Sequence, residues 1–106
     1  MKYLFLLIFI TLASTAFADL PVYELSIKEH QFSPAQIEIP VGVKVKLLVK
    51  NLDATPEEFE SHELNREKII PANSEAIIYI GPLDQGEYGF FGEFHEDTAQ
   101  GKLIVK

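Results

Sequence analysis

Two short stretches hold most of the side chains that could do chemistry. One reads Glu57-Glu58-Phe59-Glu60-Ser61-His62; the other reads Gly92-Glu93-Phe94-His95-Glu96-Asp97, with Gln100 just beyond. Carboxylates and imidazoles are donors for hard and borderline ions. They suit Cu(II), Fe(II), Fe(III), Zn(II) or Mn(II), and stability order alone favours Cu(II) among the divalent ions. Around His95, the acids Glu93, Glu96 and Asp97 could add oxygens to a loop site. In the first stretch, strand alternation separates the candidates. If Phe59 points into a core, Glu57 lies on its side, while Glu58, Glu60 and His62 face the other way. Those three form a second candidate cluster, because residues two apart on one strand face can share an ion.

Each feature also has a plainer reading. The Glu57, Glu58 and Glu60 group could be a charged edge that discourages strand-to-strand aggregation. Gln100 could cap its own loop, and a loop histidine is usually just solvated. His30, which precedes the Phe32-Ser33-Pro34 break, reads as a surface or packing residue. Tyr88, Phe90, Phe91 and Phe94 read as core or rim aromatics.

The chain has no cysteine. Disulfide exchange, thiol nucleophiles and copper–thiolate chemistry are therefore excluded. No nucleophile motif and no glycine-rich phosphate loop occurs. The acids show no ordering for general acid–base work, so catalysis is not the leading expectation.

The elements that must position these residues are short. The 106 residues suggest one domain behind a leader. Lys2 opens the chain, residues 3–12 are an apolar run, and Ala16-Phe17-Ala18 is a small-residue cleavage pattern. Residues 1–18 thus read as a signal peptide, with an apolar run shorter than the roughly 20 residues that a membrane-spanning helix needs. Residues 19–106 form the domain. Cleavage removes one of nine basic side chains and none of the sixteen acids. So acidic a domain repels nucleic acid and suits soluble cations or a basic partner.

Within the domain, residues 23–28 and 37–39 alternate apolar and polar, as half-buried strands do. Residues 43–50 alternate most clearly, with Val43, Val45, Leu47 and Val49 expected inward. Further strands are expected near residues 57–61, 68–70, 76–80, 88–91 and 102–105, separated by Pro, Gly and Asn-rich turns. A helical turn is conceivable only around residues 61–67. Seven to eight strands in under 90 residues point to an all-β, Greek-key β-sandwich.

Phe32-Ser33-Pro34 with Ile37-Glu38-Ile39-Pro40-Val41-Gly42, then Asn51-x-Asp53, then Gly86-x-Tyr88-x-Phe90 and Gly101-x-Leu103-Ile104-Val105 run along the chain in that order. Across residues 27–105 the sequence resembles the cupredoxins. More narrowly, it resembles the small exported cupredoxin-like domains associated with bacterial iron-uptake systems. The resemblance implies a copper site of two histidines, a cysteine and a weak axial methionine. Here Glu57 stands in the first histidine's place, Gly92 in the cysteine's, His95 in the second histidine's and Gln100 in the methionine's. The implied metal set is Glu57 and His95, with Glu93, Glu96 and Gln100 as further donors, and no blue-copper centre can form.

The expectation is therefore a periplasmic, metal-binding protein that takes a copper or iron ion. It would be an accessory to iron uptake by an inner-membrane permease or that system's periplasmic components. Copper-assisted oxidation of ferrous iron is the one reaction the resemblance would allow. The competing expectation is a metal-free acidic interaction module that docks a basic patch on its partner.

Overall fold

The computed structural model describes residues 19–106, and the expected signal peptide, residues 1–18, lies outside the described residues. Nine strands fall in two sheets: β1 (Val22–Lys28), β2 (Gln31–Ser33), β3 (Gln36–Ile39), β4 (Val45–Asn51), β5 (Glu57–Ser61), β6 (Arg66–Ile70), β7 (Glu75–Ile80), β8 (Gly86–Gly92) and β9 (Gln100–Val105). One sheet runs β2-β1-β4-β7 and the other β3-β9-β8-β5-β6. β1 pairs with β4 and β3 with β9 in parallel, while the other ladders are antiparallel. The fold is an all-β sandwich, as expected. There is one strand more than the expected seven or eight, because the chain changes sheets between β2 and β3 at Pro34, which has no N–H to extend a ladder.

β4 shows how alternation builds the core. Val45, Leu47, Val49 and Asn51 are buried, while Lys46, Leu48 and Lys50 lie on the half-exposed face. Val43 was expected inward, but it lies before the strand and is exposed. The segment expected to be a helical turn is β strand from Arg66, entered through a hydrogen-bonded turn in which Asn65 N–H donates to His62 O. The helical content of the described residues is one 3₁₀ turn, Glu93–His95.

Three phenylalanines occupy the core beneath one end of the sandwich. Phe59 and Phe90 stack with centroids 5.0 Å apart, and Phe32 meets the edge of Phe90 at 5.0 Å. Burial of each is worth about 1.5–3 kcal/mol, and such ring pairs add about 0.5–1.5 kcal/mol. Each ring lies two residues from a residue of the candidate site: Phe32 from His30, Phe59 from Glu57 and Phe90 from Gly92. The aromatic floor and the residues above it are thus set by the same segments.

Candidate metal centre

The site is assembled where three connections meet: the β1–β2 turn, the β4–β5 loop and the β8–β9 loop. Asn51, buried at the end of β4, anchors the middle one. Its amide donates to the carbonyls of Thr55, Ile70 and Pro71, and its Oδ1 accepts from Asp53 N–H. Asp53 in turn accepts from the backbone N–H groups of Glu29 and His30, at 2.7 and 3.0 Å. Burial works to raise the Asp53 pKa. The amides of His30 and Glu29, helped by the His30 and His95 imidazoles, outweigh it and hold the carboxyl below its usual value. The β8–β9 loop closes on itself through Gly92 N–H to Ala99 O and Ala99 N–H to His95 O, and Thr98 Oγ1 ties it to His30 O at 2.6 Å.

Glu57 points inward with Phe59, as alternation predicts, and is 1% exposed. A buried carboxylate is costly unless its oxygens find donors. Here Oε1 accepts from the N–H groups of Glu58 and Phe94, at 3.0 and 2.9 Å, and Oε2 lies 2.5 Å from His95 Nδ1. An ionised carboxylate can only accept, so Nδ1 carries the proton of this pair.

Gly92 explains why no side chain stands at the position where the resemblance implies a cysteine. A Cβ built there would lie 2.6 Å from the Ala99 Cβ, 2.7 Å from Glu57 Cδ and 2.9 Å from Glu57 Oε1. The Glu57 carboxylate occupies the space that a side chain at residue 92 would enter. The two replacements are one steric event.

His30, read from the sequence as a surface or packing residue, belongs to this site. Its ring stacks on that of His95 with centroids 3.5 Å apart and planes 11° from parallel. Its Nδ1 lies 3.5 Å from Asp53 Oδ2. Donor atoms of His30, Glu57 and His95 all lie within 4.8 Å of one another. His30 and its neighbour Glu29 are both left-handed, with φ of 57° and 52°. For residues with a Cβ this conformation costs roughly 1–2 kcal/mol each. Strain of this kind persists where the surroundings over-determine it, and such places cluster at functional sites. The two amides on Asp53 are what holds it. In sequence, the available signal was Asn51-x-Asp53, but nothing local connected it to residue 30.

The remaining expected ligands go elsewhere. Gln100 is exposed and donates its amide to Glu96 O at 2.6 Å, so it caps its own loop, and Glu96 is engaged through its backbone. Glu93 joins the outer face of the β5 sheet, with Glu58 and Glu60. His62 does not share that cluster. It sits in the turn after β5, its side chain 78% exposed, 3.9 Å from Glu60 Oε1 and against Phe91. Glu67, directly across from Glu60 on β6, takes its place. The Glu67 carboxyl, able to share a proton with Glu58, acts with burial and with the charges of Glu67, Glu60 and Glu93 to push Glu58 up to about 7. Glu60 is raised too, by Glu93 first and then by burial.

The comparisons with known proteins agree with this architecture. A family model described as a cupredoxin-like domain matches residues 2–105. An uncharacterized protein of Rickettsia prowazekii (strain Madrid E) is 48% identical over 82 residues; the match covers 77% of this chain, which spans 66% of that protein's length. Among solved structures, the metal-binding domain of a Cu(I)-exporting P-type ATPase of Streptococcus pneumoniae D39, with Cu(I), superimposes with a TM-score of 0.72 at 16% identity, over 80% of this chain and 84% of that one. Auracyanin A, a blue copper protein from Chloroflexus aurantiacus, gives a TM-score of 0.69 at 16% identity, over 80% and 98%. At these identities the likeness is one of fold.

Proposed function

Since this chain belongs to the cupredoxin-like domain family, whose fold it shares with copper-binding proteins, we propose that it is an exported periplasmic protein that takes one Cu(II) ion through His30, Glu57 and His95, as an accessory to iron uptake by an inner-membrane permease. The observation that carries this reading is the convergence of three donors, from three separate connections, within 4.8 Å of one another above an aromatic floor. Two imidazoles and a carboxylate suit Cu(II) and leave the thiolate-tuned couple of blue copper out of reach. Bound there, copper would supply a one-electron couple in a harder and more open ligand set.

The protein's own groups have definite parts. Copper on His95 Nδ1 would displace the proton which that nitrogen gives to Glu57, and a neutral imidazole would then carry it on Nε2 instead. The two rings must also splay, because nitrogens on parallel rings 3.5 Å apart cannot both aim their lone pairs at one ion. Asp53 keeps His30 in reach through the backbone. Export is supported by the leader-like pattern of residues 1–18. The part in iron uptake is supported by the resemblance across residues 27–105 and by a ligand set built for holding an ion more than for fast electron transfer.

Calorimetric titration with Cu(II) tests this. The parent should bind one Cu(II), and His30→Ala and His95→Ala should each weaken binding by about tenfold or more. Equal binding by the parent and both variants would refute the site. One observation favours the second reading, a metal-free docking module: the Glu57 oxygens are already satisfied within the protein. Salt-sensitive capture of a basic partner by chelator-treated protein would support that reading.

A further inference from the structure

We propose that the outer face of the sheet β2-β1-β4-β7 docks on an anionic phospholipid surface. This does not rest on the copper site, which lies at the pole of the sandwich and not on this face.

The ladders build the face. Alternation turns Leu25, Val49 and Ile78 into the core and leaves the residues between them outward. Register then sets Val22, Lys46 and Tyr79 side by side in one row, and Glu24, Leu48 and Ile77 in the next. Val22, Ile77 and Tyr79 keep 56%, 47% and 47% of their surface, and Leu48 is half-buried among them. Single exposed apolar residues mean little, but a contiguous set rimmed by charge marks an interaction surface.

The rim is basic. Lys28, Lys44, Lys46 and Lys50 lie on this face, four of the chain's nine basic side chains, together with two of its sixteen acids, Glu24 and Glu75. Lys50 pairs with Glu24 at 2.9 Å. Among the described residues, no carboxylate pairs with Lys44 or Lys46. Their ammonium groups lie over the Tyr79 ring, 5.4 and 6.0 Å from its centre. An acidic domain thus presents one face of the opposite sign, and such segregation orients that face toward an anionic surface.

Charge complementarity and the apolar rows together select the occupant. The headgroup layer of an anionic bilayer offers phosphates to ammonium groups and acyl carbon to apolar side chains at one shallow depth. Tyrosine rings and lysine stems are suited to that layer. An acidic patch on a protein would answer the lysines but give Val22, Leu48 and Ile77 little apolar contact. Attraction by a few lysines plus shallow apolar burial gives reversible, salt-sensitive binding.

Vesicle co-sedimentation tests this, with equal parts phosphatidylglycerol and phosphatidylcholine against phosphatidylcholine alone. Residues 19–106 hold every strand of both sheets, so the domain is used without residues 1–18, whose apolar run would itself enter lipid. It should bind the anionic vesicles, be released by salt and leave the neutral ones free. Lys44→Gln/Lys46→Gln should weaken binding by about twenty- to thirtyfold, since each lysine at such a surface is worth about fivefold. Lys102→Gln/Lys106→Gln, the same charge change on the other sheet, should bind as the parent does. No binding by the parent, equal binding to both vesicles, or equal loss in the two double variants would overturn the proposal. Capture of a poly-glutamate peptide without vesicle binding would overturn it as well and give the face to an acidic protein. Circular dichroism shows whether the variants fold. Should Lys44→Gln/Lys46→Gln not fold, Ile77→Ser, at an exposed position on β7, takes its place and must also weaken binding to the anionic vesicles.

Discussion

Glu57 and Glu58 are neighbours on one strand, carry the same side chain and are both buried, yet they live in opposite electrostatic worlds. Glu57 faces inward, where two amide N–H groups and an imidazole meet its oxygens. Glu58 faces outward, where three more carboxylates meet it. The difference shows that burial alone does not decide what a charge is worth. The supply of donors decides it, and strand alternation gives the two residues different supplies.

The largest effect should come from breaking the inner half. Glu57→Ala leaves the amides of Phe94 and Glu58 and the His95 Nδ1–H without their acceptor, and such losses at a buried pair cost about 3–5 kcal/mol. Denaturant unfolding would measure it. Glu58→Ala in chelator-treated protein should leave the melting temperature unchanged or raise it, since it removes repulsion. If both variants lose stability alike, the contrast between the two faces is false. Gly92→Ala sharpens the same comparison from across the ladder. Its methyl would press on Ala99 and on the Glu57 carboxylate, at 2.6 and 2.7 Å. Overpacking of this kind costs about 1–3 kcal/mol, and it should weaken Cu(II) binding.

Much of the inner half was legible from residues. Phe59 fixes the inward face of β5, so Glu57 follows by alternation, and the spacing from Gly92 to His95 places the histidine at the same pole. The fold was legible for the same reason: β1, β3 and β4 alternate apolar and polar residues along the sequence. Three residues were misplaced, each for a local physical cause. Glu93 was grouped with His95, but in a 3₁₀ turn each residue advances about 120°, so side chains two apart diverge. His62 was read as continuing the strand face, but β5 ends at Ser61 and the chain turns there. His30 lies in a two-residue turn whose Glu-His sequence lacks the Asn-Gly or Asp-Gly that usually marks left-handed geometry. Its place is dictated by Asp53, more than twenty residues away, and no local pattern encodes that.

Asp53 gives the next smaller effect. Asp53→Ala removes the acceptor of two amides in a strained turn, and hydrogen bonds to a charged group are worth about 1.5–3 kcal/mol each when intact, less where water can replace the partner. A loss near the low end of that range is expected, because the turn is at the surface. Its signature is specific: Cu(II) affinity should fall with it, since His30 loses its support. Asp53 has a lowered pKa, so its contribution is present above the usual carboxylate range and fades as pH falls through the folded value.

The outer cluster should show the opposite sign, and this is the smallest and most diagnostic effect. Glu58 is raised from 4.5 to about 7, and Glu60 is raised as well. Between the unfolded and folded values the native protein holds more protons than the unfolded chain. Stability therefore falls as pH climbs from about 4.5 toward 7. The chelator-treated protein should melt higher at pH 5 than at pH 7.5, and Glu58→Gln should flatten that slope because it removes the group that must ionise. A melting temperature that rises with pH across this window in the parent, or a slope that Glu58→Gln leaves intact, would show that the outer carboxylates find partners in the protein after all. The two faces of β5 would then be electrostatically alike.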